Sequence, residues 1–375
     1  MKIGIDSAAF STSKYFLSLE TLARRRNVDF AKYCSGIGQT KMAVFPPNED
    51  IVTVGADAAE KALAAVPRDD IDMLIFATES SFDLSKSAGI YVHHFLNLRE
   101  DCRVFDLKQA CYSVTAALRL AISHVAENPD SRVLVVGSDV VRYPPNTPGE
   151  PTQGGAAVAL VVSKDPRILE VEPQAGVHTV DVTDFWRPAH LNEALFDGKL
   201  SARNYLKSLD ICVDRYFQKT NLKISDIDHA CFHAPFGKMA LKADRQLFGT
   251  RSIDKTLVYN SVIGNSCSAS LYICFISLTD NSEEDLSGRR TGFFSYGSGS
   301  VAEFFCGVIS ENYKCMSNAE KNRAALADRT EISFREYESF CNPEFRIFDR
   351  YQNAGNLTLS GVSDCRRVYK ILEPY

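Results

Sequence analysis

The sequence predicts an α/β protein made of two similar halves. Three observations predict it: short apolar runs alternate with helical patterns, one kind of helix recurs late in the chain, and a glycine-containing strand pair follows each copy. Residues 73–77 (MLIFA), 104–107 (VFDL), 132–137 (RVLVVG) and 156–162 (AAVALVV) are nearly continuous apolar runs of strand length. Such runs belong to strands covered on both faces. Between them, Val54, Ala58 and Ala62 recur at helical spacing, as do Leu118, Ala121 and Val125. Strands alternating with helices place a central sheet between helical layers. Cys111-Tyr112-Ser113 opens a helix reading VTAALRLAIS, and residues 268–277 (SASLYICFIS) form a second helix with small residues at its start. The strand pair after the first ends in GGAAVAL at 154–160, and the pair after the second ends in GSGSVAE at 297–303. Two copies at a long period indicate a duplicated unit and not a solenoid. The halves are expected at 1–165 and 166–375, in one compact body, with the more polar stretch from about residue 311 forming peripheral helices and extended structure.

Composition narrows the function classes. The chain has 375 residues, 45% hydrophobic and 24% charged, which is ordinary for a globular protein with a large core. A net charge of −5 gives no basic field for nucleic acid or acidic lipid. The run Arg24-Arg25-Arg26 reads as a solvated helix face, with a phosphate-meeting rim as the alternative. Eleven cysteines, without CxxC or Cys/His zinc spacing, read as reduced thiols in a cytoplasmic protein, with no disulfide scaffold and no metal site. The N-terminal segment has no signal-peptide pattern, and no apolar run approaches the ~20 residues of a membrane span.

Three residues stand where chemistry is expected. Cys111 follows the 104–107 strand and precedes a helix, where unpaired N–H groups favour a thiolate. A buried inert cysteine is the alternative at that position. Glu79 follows the 73–77 strand, at the edge where open α/β sheets place their sites. Partial burial there would raise its pKa and make it a general base or acid; an acid in the first turn of a helix is the alternative. His233 follows a short apolar run and precedes Ala234-Pro235, a corner from which an imidazole can donate to a carbonyl. The glycines of Tyr296-Gly297-Ser298-Gly299 allow close backbone approach to an oxyanion, or form a plain hairpin turn.

These segments together resemble the 3-hydroxy-3-methylglutaryl-CoA synthase family, of bacterial type, from the N-terminus to about residue 340. The resemblance is carried, in order, by GIGQT at 36–40, ATES at 77–80, QACY at 109–112, EPTQG at 150–154, DFWRP at 184–188, FHAPFGK at 232–238, Gly264-Asn265 and SYGSG at 295–299. It implies a thiolase-like fold of five layers, αβαβα. It also implies that acetyl-CoA acetylates Cys111, that acetoacetyl-CoA is the acceptor, and that the pathway is that of mevalonate. Glu79 would act as base on the acetyl methyl and as acid toward the new hydroxyl. His233 would polarise the attacked ketone, and Asn265 would hold the thioester end. The N–H groups of Cys111 and Ser298 would form the oxyanion hole. Tyr143, Thr152, Phe185 and Pro235 would line the pocket, with Lys238 near the CoA entrance. No cofactor is implied, and a homodimer is.

Departures from the family pattern are Ser113-Val114 after Cys111-Tyr112, Pro144-Pro145 after Tyr143, and Ser266-Cys267 after Asn265. Val114 is expected to pack inside its helix, and Cys267 to be a second thiol near the site. A related alternative is the polyketide β-branching synthase, which uses acyl-carrier-protein substrates. A ketoacyl synthase III-like enzyme pairs cysteine with His and Asn and lacks a carboxylate base, whereas Glu79 is present here. A catalytically silent interaction protein would not need the Cys111/Glu79/His233 set.

Overall fold

A computed structural model describes residues 1–188, 190–191, 193–249, 253–341 and 351–372. Among these, nine strands form one hydrogen-bonded mixed sheet: β1 (Ile3–Ser11), β2 (Ile71–Ala77), β3 (Arg103–Leu107), β4 (Arg132–Val141), β5 (Gly154–Lys164), β6 (Leu169–Thr179), β7 (His229–Phe232), β8 (Arg290–Gly297) and β9 (Val301–Ile309). Their order is β7-β8-β9-β6-β1-β5-β4-β2-β3. On one side β2 is parallel to β4, and β4, β5 and β1 then follow as antiparallel neighbours. On the other side β7 is parallel to β8, and β8, β9 and β6 follow in the same way. The same topology is thus written twice. β3, parallel to β2 at the far edge, has no counterpart among the described residues.

The two sets of strands join at only two residue pairs, Gly4↔Glu170 and Ile5↔Leu169. Gly4 makes that seam possible, because a Cβ there would sit 1.9 Å from the Leu169 carbonyl oxygen.

Four helices build the layers: α1 (Ile51–Ala62), α2 (Ser113–Glu127), α3 (Gly198–Thr220) and α4 (Ser270–Asn281). Successive residues of a strand face opposite sides. On β4, Val136 meets Gly55 of α1, and Gly137 meets Val114 of α2. Val114 is fully buried there, packed within the body as the sequence suggested. α4 lies against β7, β8, β1 and β5, and α3 covers β6 and β9. α2 and α4 touch, with Thr115 Oγ1 2.9 Å from the Tyr272 hydroxyl. The layers therefore run α1, first strand set, α2 with α4, second strand set, α3.

Capping separates the outer helices from the central pair. Asp50 caps α1 in a reciprocal capping box with Thr53, and Asp197 caps α3. α2 and α4 begin without a side-chain cap, so their first N–H groups are left for other partners.

The described part of the C-terminal stretch packs back on the start of the chain. Thr330 and Glu331 pair with Tyr15 and Phe16. Tyr337 and Phe340 share a small apolar cluster with Leu17, Leu22 and Met42. The Arg24–Arg26 run is only partly a solvated face. Arg24 and Arg25 are exposed, but Arg26 donates two bonds to Glu150, at 2.9 and 2.7 Å. Glu150 is buried and also accepts from the Tyr337 hydroxyl at 3.0 Å. A buried carboxylate requires such partners.

Candidate active site

Glu79 stands two residues beyond the end of β2, in a loop and not in a first helical turn. Asp139, near the end of the adjacent β4, fixes that loop. One of its oxygens accepts from Thr78 Oγ1 (2.8 Å), Glu79 N (2.9 Å) and Ser80 N (3.1 Å). The other accepts from the backbone N–H of Ser268 (3.1 Å) and from its hydroxyl. Asp139 thereby ties the Glu79 loop to the start of α4. Arg187 donates to the Glu79 carbonyl at 2.6 Å. The Glu79 carboxyl is bonded by the Cys267 thiol, but among the described residues its buried Oε2 has no hydrogen-bond partner. Burial first, then the charge of Asp139, pushes its pKa up to about 8.

Cys111 lies two residues ahead of α2, after Ala110 turns the chain through a left-handed conformation at φ 44°. Its sulfur is 2.8 Å from that of Cys267, and both thiols are free. The Cys267 thiol pulls the Cys111 pKa down, but burial and the charges of Glu79 and Asp139 outweigh it and push the thiol up to about 11. This differs from the thiolate expected at a helix N-terminus. Burial disfavours the charged form, so at rest the Cys111 thiol holds its proton.

His233 follows β7 directly. Its N–H donates to the Phe294 carbonyl (2.8 Å), and its carbonyl accepts from the Tyr205 hydroxyl (2.7 Å). Its Nδ1 lies 2.6 Å from Ser270 Oγ at the start of α4. Burial lowers its pKa to about 3, so the ring is neutral.

The donor atoms of Glu79, Cys111 and Cys267 all lie within 4.8 Å of one another. Among the described residues no other three His, Cys, Asp or Glu side chains bring their donor atoms so close together. Asn265 accepts from Cys267 N (2.8 Å) and donates its own N–H to the Thr152 carbonyl (3.1 Å). The Tyr143 hydroxyl faces Asn265; burial, then Glu79, Cys111 and Cys267, raise its pKa. Phe185 packs edge-on against the Tyr143 ring at 6.3 Å. The Thr152 hydroxyl is taken up locally, donating to the Gly149 carbonyl at 2.8 Å.

Ser298 lies in the turn between β8 and β9, and its carbonyl accepts from Gln109 Nε2 at 3.2 Å. Gly297 presses on the Cys111 segment, since a Cβ there would sit 2.5 Å from the Gln109 carbonyl oxygen. Asp184 anchors this turn, accepting from Gly299 N (3.0 Å) and the Tyr296 hydroxyl (2.8 Å). Pro235 and Lys238 are half-buried on the segment after His233, and Lys238 N donates to the Ile37 carbonyl at 3.0 Å.

The residues that sequence reasoning missed are Asp139, Ser268, Ser270, Asp184 and Arg187. Asp139 carried the same signal as Glu79, a carboxylate near the end of an apolar strand. Asp184 and Arg187 lie inside the DFWRP motif, but their partners are about 110 residues distant, at 296–299 and 79.

Comparison with known proteins fits this geometry. Residues 2–166 match the family described as hydroxymethylglutaryl-coenzyme A synthase N terminal, and residues 170–251 and 241–344 match its C terminal counterpart. A hydroxymethylglutaryl-CoA synthase of Enterococcus faecalis is 40% identical over 349 residues, covering 90% of this chain and 91% of the relative. A polyketide biosynthesis 3-hydroxy-3-methylglutaryl-ACP synthase of Bacillus subtilis is 30% identical over 371 residues, covering 89% and 87%. A crystal structure of an HMG-CoA synthase complexed with CoA superposes with a TM-score of 0.94 at 35% identity, over 99% of this chain and 100% of that one. The chain therefore belongs to the hydroxymethylglutaryl-CoA synthase family, condensing acyltransferases of thiolase-like fold.

Proposed function

We propose that the protein condenses acetyl-CoA with acetoacetyl-CoA to give 3-hydroxy-3-methylglutaryl-CoA and free CoA, with Cys111, Glu79 and His233 as its catalytic residues. The observation that carries this reading is the buried carboxyl group of Glu79 beside the Cys111 sulfur, with one oxygen lacking a hydrogen-bond partner among the described residues and a pKa raised to about 8. In the first step Cys111 attacks the acetyl thioester, the C–S bond to CoA breaks, and the thiol proton leaves on CoA. Glu79 in its ionised form then takes a proton from the acetyl methyl. The new carbanion adds to the ketone carbon of the acceptor, and Glu79 returns the proton to the alkoxide. Water finally cleaves the Cys111 thioester, leaving a free carboxylate and the thiol. With the Ser270 hydroxyl donating to Nδ1, neutral His233 presents an Nε2–H to the ketone. Asn265 and the N–H groups of Cys111 and Ser298 stabilise the oxyanions. Tyr143, Thr152, Phe185 and Pro235 form the pocket walls, and Lys238 stands at the CoA entrance.

The repeated strand order supports a division into halves at 1–165 and 166–375. A homodimer is supported by edge strand β3, which bears the exposed Phe105. Intact mass after acetyl-CoA tests the first step, and a gain of one acetyl group is expected. Turnover of acetoacetyl-CoA against acetoacetyl carrier protein tests the acceptor. Faster use of the carrier-bound substrate would overturn the CoA assignment.

A further inference from the structure

The condensation gives no task to Cys267, although its sulfur touches the nucleophile. We propose that Cys111 and Cys267 are an oxidation site, closing reversibly into an intramolecular disulfide when the enzyme meets a hydroperoxide. The sulfurs, 2.8 Å apart, are within about 1 Å of bonding distance. Their approach is built into the duplication. Ala110 (φ 44°) and Cys267 (φ 45°) are left-handed residues three positions ahead of α2 and α4, the two central helices. The same elbow occurs once in each half, with Cys267 at the left-handed position of one and Cys111 one residue past that of the other, and the two sulfurs meet between them. Each elbow is held in place. Ser113 Oγ accepts from Gln109 N at 2.7 Å, while Asn265 and Asp139 hold Cys267 N and Ser268 N at 2.8 and 3.1 Å. Cys111 keeps partial exposure, whereas Cys267 is buried. A peroxide therefore meets Cys111 first, and Cys267 is placed to resolve it.

The chemistry balances with hydrogen peroxide as oxidant. The Cys111 thiol gives its proton to ionised Glu79, its sulfur attacks a peroxide oxygen, the O–O bond breaks, and the leaving hydroxide takes that proton, so that a sulfenic acid and one water result. Cys267 sulfur then attacks Cys111 sulfur. The S–O bond breaks, and the hydroxide leaves as a second water with the Cys267 proton, which Glu79 is close enough to carry. Two thiols lose two hydrogens and the peroxide becomes two waters. An external dithiol reverses the bond by exchange. While it lasts, the acyl-accepting sulfur is blocked, a consequence that rests on the proposed role of Cys111.

The test uses the reduced full-length enzyme in chelator-containing buffer, treated with hydrogen peroxide. Expected are an intact mass lower by two hydrogens, a non-reduced peptide joining Cys111 to Cys267, and two fewer titratable thiols. Turnover should fall about tenfold or more and return with dithiothreitol. Oxygen-bearing Cys111 beside a reduced Cys267, or a loss that dithiothreitol does not reverse, would overturn the proposal. In Cys267→Ser, peroxide should drive Cys111 to the sulfinic acid, and inactivation should become irreversible. Recovery as complete as in the unaltered enzyme would equally defeat the idea. If that variant does not fold, Cys267→Ala and the peptide map of the unaltered enzyme decide. The map needs no substrate, so a linked but never-acetylated chain would sink the synthase reading and leave the disulfide standing.

Discussion

The ends of β2 and β7 occupy corresponding places in the two strand sets, yet they carry opposite chemistry. After β2 comes a carboxyl group whose pKa burial raises to about 8, and after β7 an imidazole whose pKa burial lowers to about 3. The same low-polarity surroundings act in opposite directions because each disfavours whichever form is charged. Both groups are mainly uncharged at neutral pH, one as a stored proton and the other as a fixed dipole. The difference teaches that duplication supplied the positions, and the residue types then divided the work.

Substitutions can break this comparison. Cys111→Ser should have the largest effect, abolishing acetyl-enzyme formation in intact-mass measurements and lowering turnover by at least about 10⁴-fold. Glu79→Gln should leave acetylation largely in place while condensation falls on the order of 10²- to 10⁴-fold. Single-turnover assays separate the two steps, and loss of acetylation with condensation retained would reverse the assignment. His233→Ala should raise KM for the acceptor about tenfold through one lost hydrogen bond, with acetylation rates unchanged. An unaltered acceptor KM would count against that role.

The pH profile sharpens the contrast. Condensation by the acetylated enzyme should rise with pH toward about 8, as Glu79 loses its proton. His233, lowered to about 3, should add no limb near the usual imidazole range. Asp139→Asn should move the rise to lower pH, because removing a nearby negative charge eases ionisation of Glu79. Turnover should drop only several-fold, and a rise left unmoved would show that Asp139 does not tune Glu79. The same shift bears on stability: the contribution from protonated Glu79 is full below its unfolded value and lost as pH rises through about 8. Glu79→Gln should therefore lose less Tm between pH 6 and 9 than the parent enzyme, a difference that calorimetry reads.

Much of this was legible in the sequence, because apolar runs and small-residue helix starts are local signals. The strands at 71–77, 132–141 and 154–164 contain the predicted runs, and Cys111, Glu79 and His233 lie at the strand and helix ends that made them candidates. The pairing of Cys111 with Cys267 joins residues 156 apart, and no local pattern encodes it. Asp139 was hidden for a similar reason: its strand was visible, but its partners at 78–80 and 268 meet only through the folded sheet. The raised thiol pKa also escaped, since a helix end is a local signal and burial by distant segments is not.

The buried link from Arg26 to Glu150 and Tyr337 continues inward. Gln153 donates to the Tyr337 hydroxyl, and its side-chain oxygen accepts from Tyr143 N at 3.1 Å. Tyr143, the proposed aromatic wall of the acyl pocket, is thus propped by the helix of the C-terminal stretch that carries Tyr337. Trimming that tail for convenience of expression would blunt the enzyme without touching one reacting atom.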